Sequence, residues 1–124
     1  MIYKLEIPGT LPTLNEYVNK ERTNRFAAAK VKKDTQEYIR SFIPFGSPQF
    51  KGAVVVSFRW IRPDMRSDKD NVAFAKKFIL DALQEAEIIE KDSWRLCTPY
   101  DIGFAVNKQN PRTIVTITND WKEQ

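Results

Sequence analysis

Asp68-Lys69-Asp70-Asn71 crowds two carboxylates, an ammonium and an amide at the start of a helix-forming stretch. They stand in a chain of 124 residues with net charge +4 and pI near 9.2. Two carboxylates this close repel each other, and a hard divalent cation between them relieves the repulsion. A division of labour follows: the basic surface would hold a polyanion, and the acids would hold a cation that attacks it. Asp92 is a third acid that could join them. Asn71 could add a carbonyl oxygen or a hydrogen bond to a ligand. The simpler account is that one aspartate caps the helix, meeting free backbone N–H groups at the positive end of its dipole. That explains one acid and leaves the second without a role.

Helical geometry adds a lysine. At about 100° per residue, Lys77 lies roughly 20° to one side of Asp70 and Asp81 roughly 20° to the other, whereas Lys76 points about 120° away. Asp70, Lys77 and Asp81 would then share a stripe, with Lys77 and Asp81 spaced as an i,i+4 pair. The ordinary reading of that pair is a surface salt bridge. The sharper one is a lysine aimed toward the metal site, where it stabilises a phosphate or its leaving oxygen.

Periodicity predicts the strands and helices that carry these groups. Residues 2–7 alternate between apolar and polar and predict a strand; Pro8-Gly9-Thr10 and Pro12 break it, and residues 14–19 read as an ordered loop. Residues 26–43 predict a helix whose buried side includes Val31, Thr35, Tyr38, Ile39 and Phe42, ended by Pro44, Gly46 and Pro48. Residues 53–60 are rich in valine and aromatics and predict a central strand. Residues 69–86 predict one long helix. Val72, Ala75, Ile79, Ala82, Leu83 and Ala86 recur at helical spacing, and Phe74, Phe78 and Leu80 widen the apolar arc, as for a helix packed deep or at a subunit contact. Strands are expected over 94–104 and 112–118, with a turn at 107–111. The order β-α-β-α-β-β predicts an α/β protein, an α+β two-layer sandwich with a mixed sheet and the helices on one face. One domain spans 1–124.

Composition removes whole classes of chemistry. Histidine is absent and there is one cysteine, Cys97. Histidine bases and ligands, Ser-His-Asp and Cys-His nucleophiles, internal disulfides and thiolate zinc sites are therefore excluded. A metal site must use oxygen donors, which suits magnesium, manganese or calcium. No apolar run is long enough to span a bilayer. Met1-Ile2-Tyr3-Lys4 leads straight into the alternating segment without a secretory pattern, so a cytoplasmic location is expected. The charge is uneven. Residues 20–40 hold seven basic groups (Lys20, Arg22, Arg25, Lys30, Lys32, Lys33, Arg40) against three acidic ones, so this segment carries the chain's whole excess. It points weakly to phosphate; the plain alternative is a solvated helix face.

These residues resemble the RusA-like Holliday junction resolvases, a family of crossover junction endodeoxyribonucleases. The resemblance rests on Asp68-Lys69-Asp70-Asn71, on Lys77 followed by Asp81-Ala82-Leu83, and on Asp92. It extends back through Asn15 and Pro8 to the first strand and forward through the final hairpin. It implies a homodimeric, magnesium-dependent nuclease (with manganese as the alternative ion) that acts on branched DNA such as a four-way junction and is typically encoded by prophages. Asp68, Asp70 and Asp92 match the family's catalytic carboxylates, and Lys77 its catalytic lysine. The stretch between Asp70 and Asp81 is a few residues longer than in the best-known members, which leaves Lys76 eligible beside Lys77. Ala86-Glu87 replaces the small or glycine residue common before the last acid. On this reading Asp68, Asp70 and Asp92 hold the metal that activates water for in-line attack. Lys77 offsets phosphate charge, and Lys20, Arg22, Arg25, Lys30, Lys32, Lys33, Arg59, Arg62, Arg66, Lys69 and Lys76 grip the DNA backbone. The rival expectation is a non-catalytic DNA-binding dimer whose acidic pair only caps a helix.

Overall fold

A computed structural model of the chain describes residues 1–119; residues 120–124, the end of the expected domain, lie outside the described residues. The elements are β1 (Ile2–Pro8), α1 (Leu14–Thr23), α2 (Arg25–Arg40), β2 (Val54–Arg62), α3 (Lys69–Ala73), α4 (Lys76–Glu85), β3 (Cys97–Val106) and β4 (Arg112–Thr118). With each helical region split in two, this is the expected β-α-β-α-β-β order. The four strands form one mixed sheet in the order β1-β4-β2-β3. β4 is antiparallel to both β1 and β2, and β3 is parallel to β2.

The layers follow from strand alternation. Val54, Val56, Phe58 and Trp60 of β2 share one face. They join Leu5 and Ile7 of β1 and Val115 and Ile117 of β4 in a single core cluster. The helices contribute Ile39, Val72, Ala73, Phe78, Ile79, Leu80, Ala82 and Leu83 to the same cluster, so they cover one face of the sheet. Phe58 and Trp60 stack with ring centroids 5.4 Å apart at 13°. The wide apolar arc expected of the second helical region is spent inside the molecule: Phe78 and Leu80 are both buried.

Three local expectations are corrected. Residues 14–19 belong to helix α1, because Thr13 caps it: its hydroxyl oxygen accepts the Glu16 N–H at 3.3 Å, and the hydroxyl meets the Glu16 carboxylate at 3.1 Å. Thr13-Leu14-Asn15-Glu16 has the S/T-x-x-E form of a capping box, with the glutamate here taking the hydroxyl proton. The long helix is broken at Phe74-Ala75. There the N–H groups of Ala75, Lys77 and Phe78 reach back to Val72, Phe74 and Ala75, three residues instead of four. Residues 93–96 form a turn, so β3 starts at Cys97.

Helix α4 closes with Glu87 at φ 60, a left-handed backbone that costs a non-glycine residue. The N–H of Glu87 bonds the Gln84 carbonyl at 3.0 Å and that of Ile88 bonds Leu83 at 2.9 Å. This is the paired bonding of a Schellman cap, where glycine is the usual residue. Among the described residues, no helix is long and apolar enough to cross a membrane.

Candidate metal and phosphate site

The site is built where β2 ends. β2 delivers Arg62, a short loop carries Asp64 and Met65, and the chain turns into α3 at Asp68. Asp68 occupies the cap position with extended backbone (φ −63, ψ 154), and its carbonyl accepts the Val72 N–H at 3.0 Å. Its carboxylate makes no capping hydrogen bond. Asp70 accepts the Asn71 N–H through Oδ1 at 3.0 Å. Asp68 is therefore not consumed as the expected helix cap, whereas Asp70 spends one oxygen on a first-turn N–H. Asn71 is committed elsewhere: its Oδ1 accepts the Asn15 N–H at 2.9 Å, fastening the start of α1 to α3.

Asp68 and Asp70 line a cavity of about 760 Å³ together with Asp64, Arg62 and Lys69. Its apolar wall is Val72 with Phe104, Ala105 and Val106 at the far end of β3. The Lys69 ammonium stands 5.6 Å from the centre of the Phe104 ring. Arg62 Nη1 makes a long 3.5 Å bond to the Leu11 carbonyl. Carboxylates able to take a hard cation thus share one opening with a guanidinium and an ammonium able to take phosphate oxygens. Two carboxylates suit magnesium, which completes its shell with waters and substrate oxygens. Among the described residues, no three of His, Cys, Asp or Glu come together as a metal-holding group.

Asp92 is not brought to this cavity. The β2–β3 register pairs Val54 with Cys97 and Arg62 with Val106. The cavity sits at the Val106 end, whereas Asp92 lies at the Cys97 end, beside that thiol. At about 3.3 Å per residue the two ends of β3 are about 30 Å apart. Burial pushes the Cys97 thiol up to about 12, helped by the charge of Asp92 and by a hydrogen bond to it. Cys97 is 6 % exposed, so it is an unreactive core thiol.

Lys77 is not brought there either. The break at Phe74-Ala75 resets the helical phase, and Lys77 lines a separate hollow with Tyr17, Glu21, Lys32, Phe74 and Asp81. Asp81 takes Gln36 at 3.2 Å and Lys32 at 4.0 Å. Lys76 faces the sheet: it lies 5.8 Å from the Phe58 ring centre and meets Asp101 Oδ2 at 2.9 Å, while Trp60 Nε1 donates to Asp101 Oδ1 at 2.8 Å.

The remaining basic residues divide by place. Lys20, Arg22 and Arg25 are exposed around the α1–α2 junction, and Lys30, Lys32 and Lys33 are exposed along α2. Lys30 pairs with Asp34 at 2.8 Å; that hydrogen bond, with the aspartate's charge, raises its pKa above the usual lysine value. Arg66 Nε pairs with Asp64 at 3.8 Å on the cavity loop. Arg59 points away from the helices and lies over Gly103, where an added Cβ would meet its Nη1 at 3.3 Å. It is therefore on the opposite face of the sheet from the expected DNA-gripping group.

Sequence reasoning passed over two acids. Asp64 was legible as the first acid after a strand end, the usual place for loop chemistry. Asp101 was hidden in an edge strand, and only the fold gives it Lys76 and Trp60. Neither a family model nor a curated protein matches this chain.

Proposed function

We propose that the protein is a magnesium-dependent endonuclease that acts as a homodimer on four-way and related branched DNA, the activity implied by its resemblance to the RusA-like resolvases. The observation that carries this reading is the carboxylate of Asp68, at a cap position yet making no cap bond, lining one cavity with Asp70, Arg62 and Lys69. Asp68 and Asp70 would hold the ion; manganese would fit the same oxygen donors. Bound magnesium supplies positive charge to the phosphodiester and makes a bound water more acidic. Arg62 and Lys69 orient the scissile phosphate and offset charge as it develops. The α1–α2 junction tracks the backbone of an adjoining arm. α1 starts at the Asn15–Asn71 bond and spans about 15 Å, so Lys20, Arg22 and Arg25 lie one short helix from the cavity. A cytoplasmic location and a prophage origin go with the same reading.

The test is Asp70→Asn on a labelled four-way junction. The variant should bind the junction as the parent does and lose magnesium-dependent cleavage by a factor of 10² or more, as expected when a group stabilising the transition state is removed. Undiminished cleavage would sink the assignment. Binding without cleavage by the parent chain itself would turn the reading to the non-catalytic DNA-binding dimer.

A further inference from the structure

We infer that Phe26 is a stacking platform for an unpaired base, and that the α1–α2 junction around it takes a single-stranded stretch of DNA. This rests on the proposed function for the kind of partner, while the surface stands on the fold. Phe26 is 78 % exposed in the first turn of α2. Its N–H donates to Asn24 Oδ1 at 2.7 Å, which fixes the backbone that carries the ring. α2 turns Ala28 into the core. At about 100° per residue, Phe26 lies about 160° from Ala28, on the outer side of the helix. Among the described residues its ring packs against no other ring and under no lysine or arginine.

The surroundings of the ring are cationic. Residues 22–33 hold Arg22, Arg25, Lys30, Lys32 and Lys33 and no acid. Lys30 and Lys33 lie about 40° and 20° from Phe26 around the helix, so the ring and two ammonium groups share one exposed stripe. Lys30 is paired with Asp34. Among the described residues Lys20, Arg22, Arg25 and Lys33 make no ion pair. Other exposed aromatic side chains lack this setting: Phe45 lies between Pro44 and Gly46, and Trp94 has Glu90 and Asp92 beside Lys91 and Arg95. Cations alone hold the phosphates of any nucleic acid. A bare ring among them adds affinity only for a base whose face is open, because in a duplex the faces are already stacked on one another. α1 spans about 15 Å from the Asn15–Asn71 bond, roughly four base steps at about 3.4 Å each, so the ring reaches bases opened at a branch near the cavity. Phe26 therefore separates DNA with open bases from linear duplex, which the charges do not.

The experiment uses the full-length chain in chelator, so that no strand is cut, and measures binding to a labelled oligothymidine single strand and to a linear duplex. Phe26→Ala should weaken single-strand binding by about tenfold, the loss of one base–aromatic stack, and leave duplex binding within about twofold. Phe26→Trp should restore single-strand binding. Lys33→Ala should weaken both ligands alike and lower the salt slope by about 1, whereas Phe26→Ala leaves that slope unchanged. A parent that does not bind the single strand, a Phe26→Ala chain that binds it undiminished or loses duplex binding equally, or a Phe26→Trp chain that does not recover it overturns the platform. So does a change of oligomeric state in Phe26→Ala on sedimentation, which would make the ring a contact between copies. The nuclease reading is decided separately, with magnesium restored. Should the parent cut no branched DNA, that reading falls, while selective loss of single-strand binding by Phe26→Ala still supports the platform. Should the parent cut junctions and Phe26→Ala bind the single strand as before, the platform falls and the nuclease reading stands.

Discussion

Asp68 takes the backbone position of a helix cap and leaves its carboxylate to the cavity, and that single difference separates a structural aspartate from a candidate ligand. The lysines are sorted with the same sharpness. Lys69 stands in the cavity over Phe104, Lys76 is spent on Asp101, and Lys77 lines a different hollow. Lys69→Ala should therefore lower cleavage by about tenfold or more, the effect of losing a charge aimed at the phosphate, while Lys77→Ala stays within about twofold. Single-turnover cleavage rates at saturating enzyme check both, and the reverse ranking would contradict this placement. The acidic pair was legible from residue types alone. The lysine was not, because the stripe joining Asp70 to Lys77 assumed one unbroken helix. No glycine or proline marks the break at Phe74-Ala75; it goes with Phe74 packing its ring against Tyr17 and Phe78, 5.6 Å from each, a tertiary fact no local pattern carries.

At the scale of elements, strand and helix identity followed from period and from β-branched or apolar runs, while the ends depended on caps. Helix α1 was announced by Thr13 and Glu16 but carries no buried residue, so a search for an apolar stripe reads it as loop. Its place is set by the bond from Asn15 to Asn71 and by Tyr17 against Phe74 and Phe78. At the other end of the helical layer, Glu87 holds a left-handed backbone that glycine adopts without cost. Glu87→Gly should stabilise the fold by up to about 1 kcal/mol, the cost of that conformation for a side chain with a Cβ. Urea denaturation reads it as a higher midpoint at unchanged slope; a lower midpoint would mean that the weak 3.4 Å contact from Gln49 to the Glu87 carboxylate outweighs the backbone term.

At the scale of the whole molecule, the mixed sheet was legible from the order of elements, and so was the direction of β3, although that consequence is easily missed. β2 and β3 are parallel because α3 and α4 return the chain between them. A returning helix ends where the first strand began, so an acid before β3 must lie at the opposite end of the sheet from the acids after β2. The expectation that Asp92 joins Asp68 and Asp70 conflicts with that rule, and the parallel register of β2 and β3 leaves Asp92 at the far end of the sheet. The same geometry joins the basic α1–α2 junction to the cavity through Asn71, so under the proposed function DNA held on the helical layer would run toward the acids. The decisive measurement is cleavage of a labelled four-way junction by the purified chain, with magnesium and with chelator, beside linear duplex. The proposed function predicts cuts in the junction only with magnesium, weakening as salt rises because phosphate contacts release counterions. Cleavage that persists in chelator, or an uncut junction at every magnesium concentration, would contradict it.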